Sequence, residues 1–90
     1  MKRLFLSGQF KKDYKRFRND PQKKKALAFI LDLLKNEQKI PPQYRPHLLT
    51  GDYKGCMECH VQGDFFLIWM DEQRDIIELL RLGSHSELFN

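Results

Sequence analysis

A chain of 90 residues with 41% hydrophobic, 12% aromatic and 31% charged side chains is long enough for one folded domain, residues 1–90, and too short for two. Five glycines and four prolines are too few for a fibrous or disordered chain, and the longest apolar run, Phe65 to Met70, is far too short to cross a bilayer. The formal net charge of +4 conceals an asymmetry: residues 1–25 hold ten lysines and arginines against Asp13 and Asp20, a basic end suited to RNA, DNA or an acidic protein, while the remainder is acidic.

The opening Met1-Lys2-Arg3 is basic, but the apolar stretch after it is too short for a secretory leader. Residues 2–6 alternate, with Leu4 and Leu6 on one face, and predict a short strand ending at Ser7-Gly8. Phe10, Tyr14 and Phe17 follow at helical spacing from Gln9 to Arg18, an aromatic stripe with the lysines and arginines turned to water. Asp20-Pro21 predicts a fresh start, an N-cap side chain before a proline whose missing N–H costs nothing at the first helical position. The second helix runs on Leu27, Ile30, Leu31 and Leu34 and fades near Asn36; Pro41, Pro42 and Pro46 turn the next ten residues into a connection.

From Cys56 the period becomes two, with Met57, Cys59 and Val61 on one side and Glu58 and His60 on the other. A turn at Gln62-Gly63-Asp64, a strand over Phe65 to Met70, a polar turn from Asp71 to Arg74 and a strand over Ile76 to Leu82 complete an antiparallel meander. Ser84 and Glu87 stand at capping-box spacing and predict one helical turn that tucks Leu88 and Phe89 onto the body. The expected fold is α+β: two N-terminal helices packed on one face of a mostly antiparallel four-stranded sheet, in the order β-α-α-β-β-β.

Cys56-x-x-Cys59-His60 matches the c-type haem attachment pattern and is half a zinc or redox motif. Residues three apart on a strand face opposite sides, so one metal or haem does not reach both sulfurs, and no helix starts at Cys56 as a thioredoxin-type motif requires. The pattern is coincidental, and two unpaired thiols suit a reducing compartment such as the cytoplasm. Taken singly, His47, His60 and His85 are ordinary surface histidines, and their separations of 13 and 25 residues lack metal-ligand spacing. Taken with Glu58, Asp64, Lys54 and Arg81, they supply what RNA transesterification needs: a base for the 2′-OH, an acid for the departing 5′-oxygen and cations for the charged transition state. Among the aromatic residues, Phe65 and Trp69 sit in an apolar strand and read as core, whereas Phe89 is the better platform for an unpaired base.

The run Tyr44-x-x-His47-x-Leu49-x-Gly51-x-Tyr53-Lys54-Gly55-x-x-Glu58-Cys59-His60-Val61-x-x-Asp64, followed by Arg81-Leu82-Gly83-Ser84-His85-Ser86-Glu87-Leu88-Phe89, resembles the YafQ-like branch of the RelE/ParE toxin superfamily. The element order and length are also similar to that family, so the resemblance spans nearly the whole chain. It implies a RelE-like fold and a type II toxin–antitoxin toxin, an endoribonuclease that enters the ribosomal A site and cuts mRNA without a metal or other cofactor. By the same resemblance, His47, His60, Asp64 and His85 fall at catalytic positions and Phe89 at a terminal aromatic that helps place the substrate. Arg81 falls at a phosphate-stabilising position and Glu58 at a possible base. Phe65 stands where some relatives carry tryptophan, which makes its contact with a base an open matter. The family implies a cognate antitoxin, with operator DNA bound only through the complex, and no membrane partner.

With that resemblance, the basic helices, Lys11, Lys12, Lys15 and Arg16 foremost, are expected to grip ribosomal RNA or acidic parts of the antitoxin. Two competing expectations are a binding module with incidental histidines, and a gyrase poison of the sister branch, which needs no acid–base groups.

Overall fold

Ser7 ends the first strand and starts the first helix: its hydroxyl accepts the Phe10 amide at 3.0 Å, satisfying a donor that has no partner inside the helix. The computed structural model describes residues 1–72 and 75–89. Strand β1 (Arg3–Leu6) leads into helix α1 (Gly8–Lys15), and α2 (Pro21–Lys35) follows, its N-cap Asp20 accepting the Lys23 amide at 3.2 Å. The proline-rich connection holds a tight helical turn at Pro42–Tyr44 and then a short strand, β2 (His47–Leu48). A second tight turn at Gly51–Tyr53 precedes β3 (Met57–His60), β4 (Phe66–Asp71), β5 (Ile76–Gly83) and a closing helix, α3 (His85–Phe89).

The five strands lie in the order β1-β5-β4-β3-β2, with β1 parallel to β5 and every other pair antiparallel. The four-stranded expectation therefore misses β2, and the single helical turn expected at the end of the chain is the five-residue helix α3, a third helix beside the two long ones. Two residues are too few to display a period of two, so β2 carries no alternation to read. The predicted turn after Asp71 extends to Arg74, which lies outside the described residues.

Alternation sorts the side chains into two layers. Phe10, Leu27, Ile30 and Leu34 of the helices pack on Cys59, Leu67, Trp69, Ile77, Leu79 and Leu82 of the sheet. The opposite face carries a smaller apolar cluster of Cys56, Phe66, Ile68 and Leu88, edged by Leu49, Tyr53, Met70 and Leu80. Strand β4 is thus buried on both sides, which is why it reads as a continuous apolar run. A register shift between Ile68 and Trp69, opposite β5, turns both Leu79 and Leu82 to the helices although they are three apart. Cys56 and Cys59 fall in different layers, as expected, and both are free. Burial, with the Glu58 carboxylate nearby, pushes the Cys59 thiol up to about 12.

Ile30 is fully buried at the centre of the helix-side core. Ile30→Ala is expected to cost about 2–5 kcal/mol, because the surrounding side chains close only part of the cavity. Urea denaturation checks this as a lower midpoint at unchanged slope.

Candidate active site

Residues directly opposite one another in an antiparallel ladder point to the same face. His47 stands opposite Glu58, His60 opposite Phe66, and Ile68 opposite Arg81, so the register alone brings His47, Glu58, His60 and Arg81 to the face away from the two long helices. The short strand β2 is what delivers His47 there.

His47 and Glu58 form the tightest unit of the site. The His47 Nδ1 lies 2.7 Å from the Arg45 carbonyl, which only accepts, so this nitrogen carries a proton. The His47 Nε2 lies 3.1 Å from Glu58 Oε1. A proton must sit between those two atoms, as imidazolium with carboxylate or as imidazole with carboxylic acid. Glu58 is only 3% exposed, and its Oε2 is buried without a hydrogen-bond partner among the described residues. Burial raises the Glu58 carboxyl above the ordinary glutamate range, and the charges of His47 and His85 and the His47 hydrogen bond offset only part of that rise.

The remaining groups meet through rings. The His60 ring stands edge-on to Phe66 with centroids 4.4 Å apart, His85 lies 5.8 Å from the same Phe66 ring, and Phe89 stacks obliquely on His85 at 4.8 Å. Phe89 in turn meets Tyr53 edge-on at 5.8 Å. Partial burial, and then the positive charges of Arg45, His47 and His85, hold His60 below the ordinary histidine range and favour its neutral form.

Helix α3 sets His85 and Phe89 on this face. The predicted capping box is present: the Glu87 Oε1 accepts the Ser84 amide at 2.8 Å, and the Ser84 hydroxyl accepts the Glu87 amide at 3.3 Å. Asp64 adds to this, its Oδ1 accepting the backbone N–H of His85 at 3.1 Å. Asp64 therefore orients His85 by holding its main chain. Gly83 permits the cap, since a Cβ there would come within 2.9 Å of Glu87 Oε1.

The other sequence-derived candidates lie away from the histidines or are engaged in ion pairs. Phe65 is 1% exposed in the helix-side core, its ring 4.7 Å from Phe17, which removes it from any contact with a base at the histidine face. Lys11, Lys12 and Lys15 are exposed along α1, and Lys54 is exposed after the turn that carries Tyr53. Arg16 and Arg81 are both engaged with Asp13. Sequence reasoning missed Phe66, the ring shared by His60 and His85, because a residue inside a continuous apolar run shows no sign of facing a site. Among the described residues, no group of three or more His, Cys, Asp or Glu is arranged to hold a metal ion, and no helix is long and apolar enough to cross a membrane.

An α+β domain that gathers three histidines, a buried carboxyl and an exposed terminal aromatic ring on the sheet face away from its basic helices has the make-up of the small RelE-like toxins. The chain belongs within it to the YafQ family: the model for "bacterial toxin of type II toxin-antitoxin system, YafQ" matches residues 2–90. The mRNA interferase toxin YafQ of Escherichia coli is 32% identical over 84 residues, 92% of this chain and 90% of that protein. The crystal structure of YafQ from Escherichia coli superposes with a TM-score of 0.90 at 28% identity, covering 100% of both chains. A chain of the Escherichia coli DinJ–YafQ complex superposes at 0.86, with 30% identity and both chains covered completely.

The raised Glu58 carboxyl has a testable sign. The folded state holds this proton more tightly than the unfolded chain, so the contribution is fully present at low pH and is lost as pH rises through and beyond the ordinary glutamate range. Glu58→Gln keeps a neutral donor toward His47 Nε2 at every pH. From pH 5 to 8 the wild-type protein is expected to lose thermal stability relative to this variant, as read from melting temperatures in matched buffers.

Proposed function

We propose that this chain is a single-domain, cytoplasmic toxin of a type II toxin–antitoxin system: an endoribonuclease that cuts mRNA in the ribosomal A site and is silenced by a cognate antitoxin. The observation that carries the reading is the convergence of the His47–Glu58 pair, His60 and His85 on one sheet face, in a chain of the YafQ family. Neutralisation by an antitoxin, with operator DNA bound through the complex, rests on the likeness to the chain of the DinJ–YafQ complex.

The chemistry is transesterification. The ribose 2′-oxygen attacks the adjacent phosphorus as its proton leaves, the bond to the 5′-oxygen breaks, and that oxygen takes up a proton, leaving a cyclic phosphate and a free 5′-OH. His85 acts as the acid, exposed at the start of α3 and held there by Asp64. His60, held toward its neutral form, is suited to accept the 2′-OH proton. The alternative base is Glu58, whose Oε2 has no hydrogen-bond partner among the described residues: a 2′-OH proton taken up at Oε2 is balanced when His47 Nε2 receives the proton held at Oε1. Phe89, supported by Tyr53 and His85, offers a face for an unpaired base. Arg81 and Lys54 supply positive charge toward the phosphate, although much of the Arg81 charge is already answered by Asp13. Lys11, Lys12 and Lys15, with Arg16 partly committed to Asp13 and Glu87, present charge to ribosomal RNA.

His85→Ala is expected to slow cleavage of ribosome-bound mRNA by about 100-fold or more while leaving the melting temperature nearly unchanged, because the deleted imidazole is exposed. Mapping of 5′ ends and a thermal melt on the same preparation check both halves; unchanged cleavage removes the role. Reversing Lys11, Lys12 and Lys15 to Glu together is expected to weaken ribosome binding and to flatten its dependence on salt. Filter binding across a salt series reads this without relying on cleavage.

A further inference from the structure

Asp13 is the most deeply buried charged side chain outside the histidine face, 2% exposed on helix α1. Its Oδ2 accepts the Arg81 Nε–H and the Leu82 backbone N–H, both at 2.9 Å. Its Oδ1 accepts from Gln9 Nε2 at 3.1 Å, from Arg16 Nη2 at 3.3 Å and from Arg81 Nη2 at 3.4 Å. Burial alone would raise this carboxyl; the hydrogen bonds from Arg81, Leu82 and Gln9 overcome it and hold the group below the ordinary aspartate range.

Two lines of contact leave this carboxylate, and both end at the site. Along the first, the Arg81 Nη1 donates to the Tyr53 hydroxyl at 3.3 Å, and the Tyr53 ring buttresses Phe89. Along the second, Arg16 reaches Glu87 Oε2 at 2.6 Å, and Glu87 caps the helix that begins with His85. The hydrogen bonds and ion pairs of Asp13 among the described residues go to Gln9, Arg16, Arg81 and Leu82, none of them a histidine or a ring of the site. A buried ion pair contributes little to stability that an apolar pair of similar shape would not also contribute. What the carboxylate–guanidinium fork adds is direction, because two parallel hydrogen bonds set the plane of Arg81.

We propose that Asp13 is a positioning residue for RNA cleavage: through Arg81 and Arg16 it fixes Tyr53 and α3, and thereby sets where His85 and Phe89 meet the substrate. The proposal rests on the reading of the chain as an mRNA-cleaving toxin with His85 as the acid. It also gives Arg81 a different weight, as a strut toward Tyr53 more than as a free cation.

The test uses the whole chain with Asp13→Asn, which preserves an acceptor for the Leu82 amide and removes the charge. Ring resonances of His85 and Phe89, followed by NMR in the free protein, are expected to shift while those of His47 stay in place. On programmed ribosomes, kcat is expected to fall about 10- to 100-fold with a smaller change in KM. Combined with Tyr53→Phe, the losses are expected to be strongly non-additive, since both act along one line. A folded Asp13→Asn protein with unmoved His85 and Phe89 resonances and wild-type kcat overturns the proposal, and so do fully additive losses. Should Asp13→Asn fail to fold, Arg81→Lys, which keeps the charge for Asp13 and removes the fork, is read in the same way with the same expected and overturning results. Wild-type protein that fails to cut mRNA defeats the functional reading instead, and the ring resonances then decide the positioning claim alone.

Discussion

The structure depends on a sheet that is apolar toward its helices and only thinly apolar on its other side. Side-chain direction alternates along each strand, so burying Met57, Cys59 and Val61 under the helices obliges Glu58 and His60 to project the other way. Few apolar residues occupy that second face, and the room left among Phe66, Ile68 and Leu88 is taken by groups able to carry protons. Register then decides which of them meet. A slip of one residue between β2 and β3 would part His47 from Glu58 and turn its imidazole to the opposite side.

Around the site, charge is compensated locally at the histidine face and beside it. At the histidine face one proton lies between a buried carboxyl and an imidazole, and partial burial, followed by neighbouring positive charges, favours the neutral form of a second imidazole. Beside it, two guanidinium groups and two carboxylates, Arg16 and Arg81 with Asp13 and Glu87, form a closed set joining α1, β5 and α3. The exposed lysines of α1 have no such compensation within this set, which leaves their field directed outward. One basic helix thus contributes an internal joint through Asp13 and, among the described residues, a surface of lysines outside any ion pair.

Much of the architecture was legible in the residues themselves. Ser7 and Asp20 announce their helices because a capping side chain is a local device, complete within three residues. The alternation from Met57 to Val61 predicts correctly which side chains lie under the helices, and Ser84 with Glu87 predicts the closing cap. What could not be read depends on partners distant in the chain. Strand β2 exists only because β3 lies beside it, and Phe66 joins the site because His60 and His85 come to it from different elements. Asp13 reads as one more acidic residue in a basic helix until Arg81, 68 positions later, folds against it. The histidines were legible as a set by their chemistry and by the family pattern, whereas their meeting point required the sheet register.

The two thiols lie in different layers of the same sheet, with Cys59 under the long helices and Cys56 beneath the short closing helix. Both thiols are buried, so alkylation of either requires its own layer to open, and the sheet itself separates the two layers. The pair therefore offers two separate readouts of packing: Cys56 reports on the small cluster it shares with Leu88 of the closing helix, and Cys59 reports on the main core.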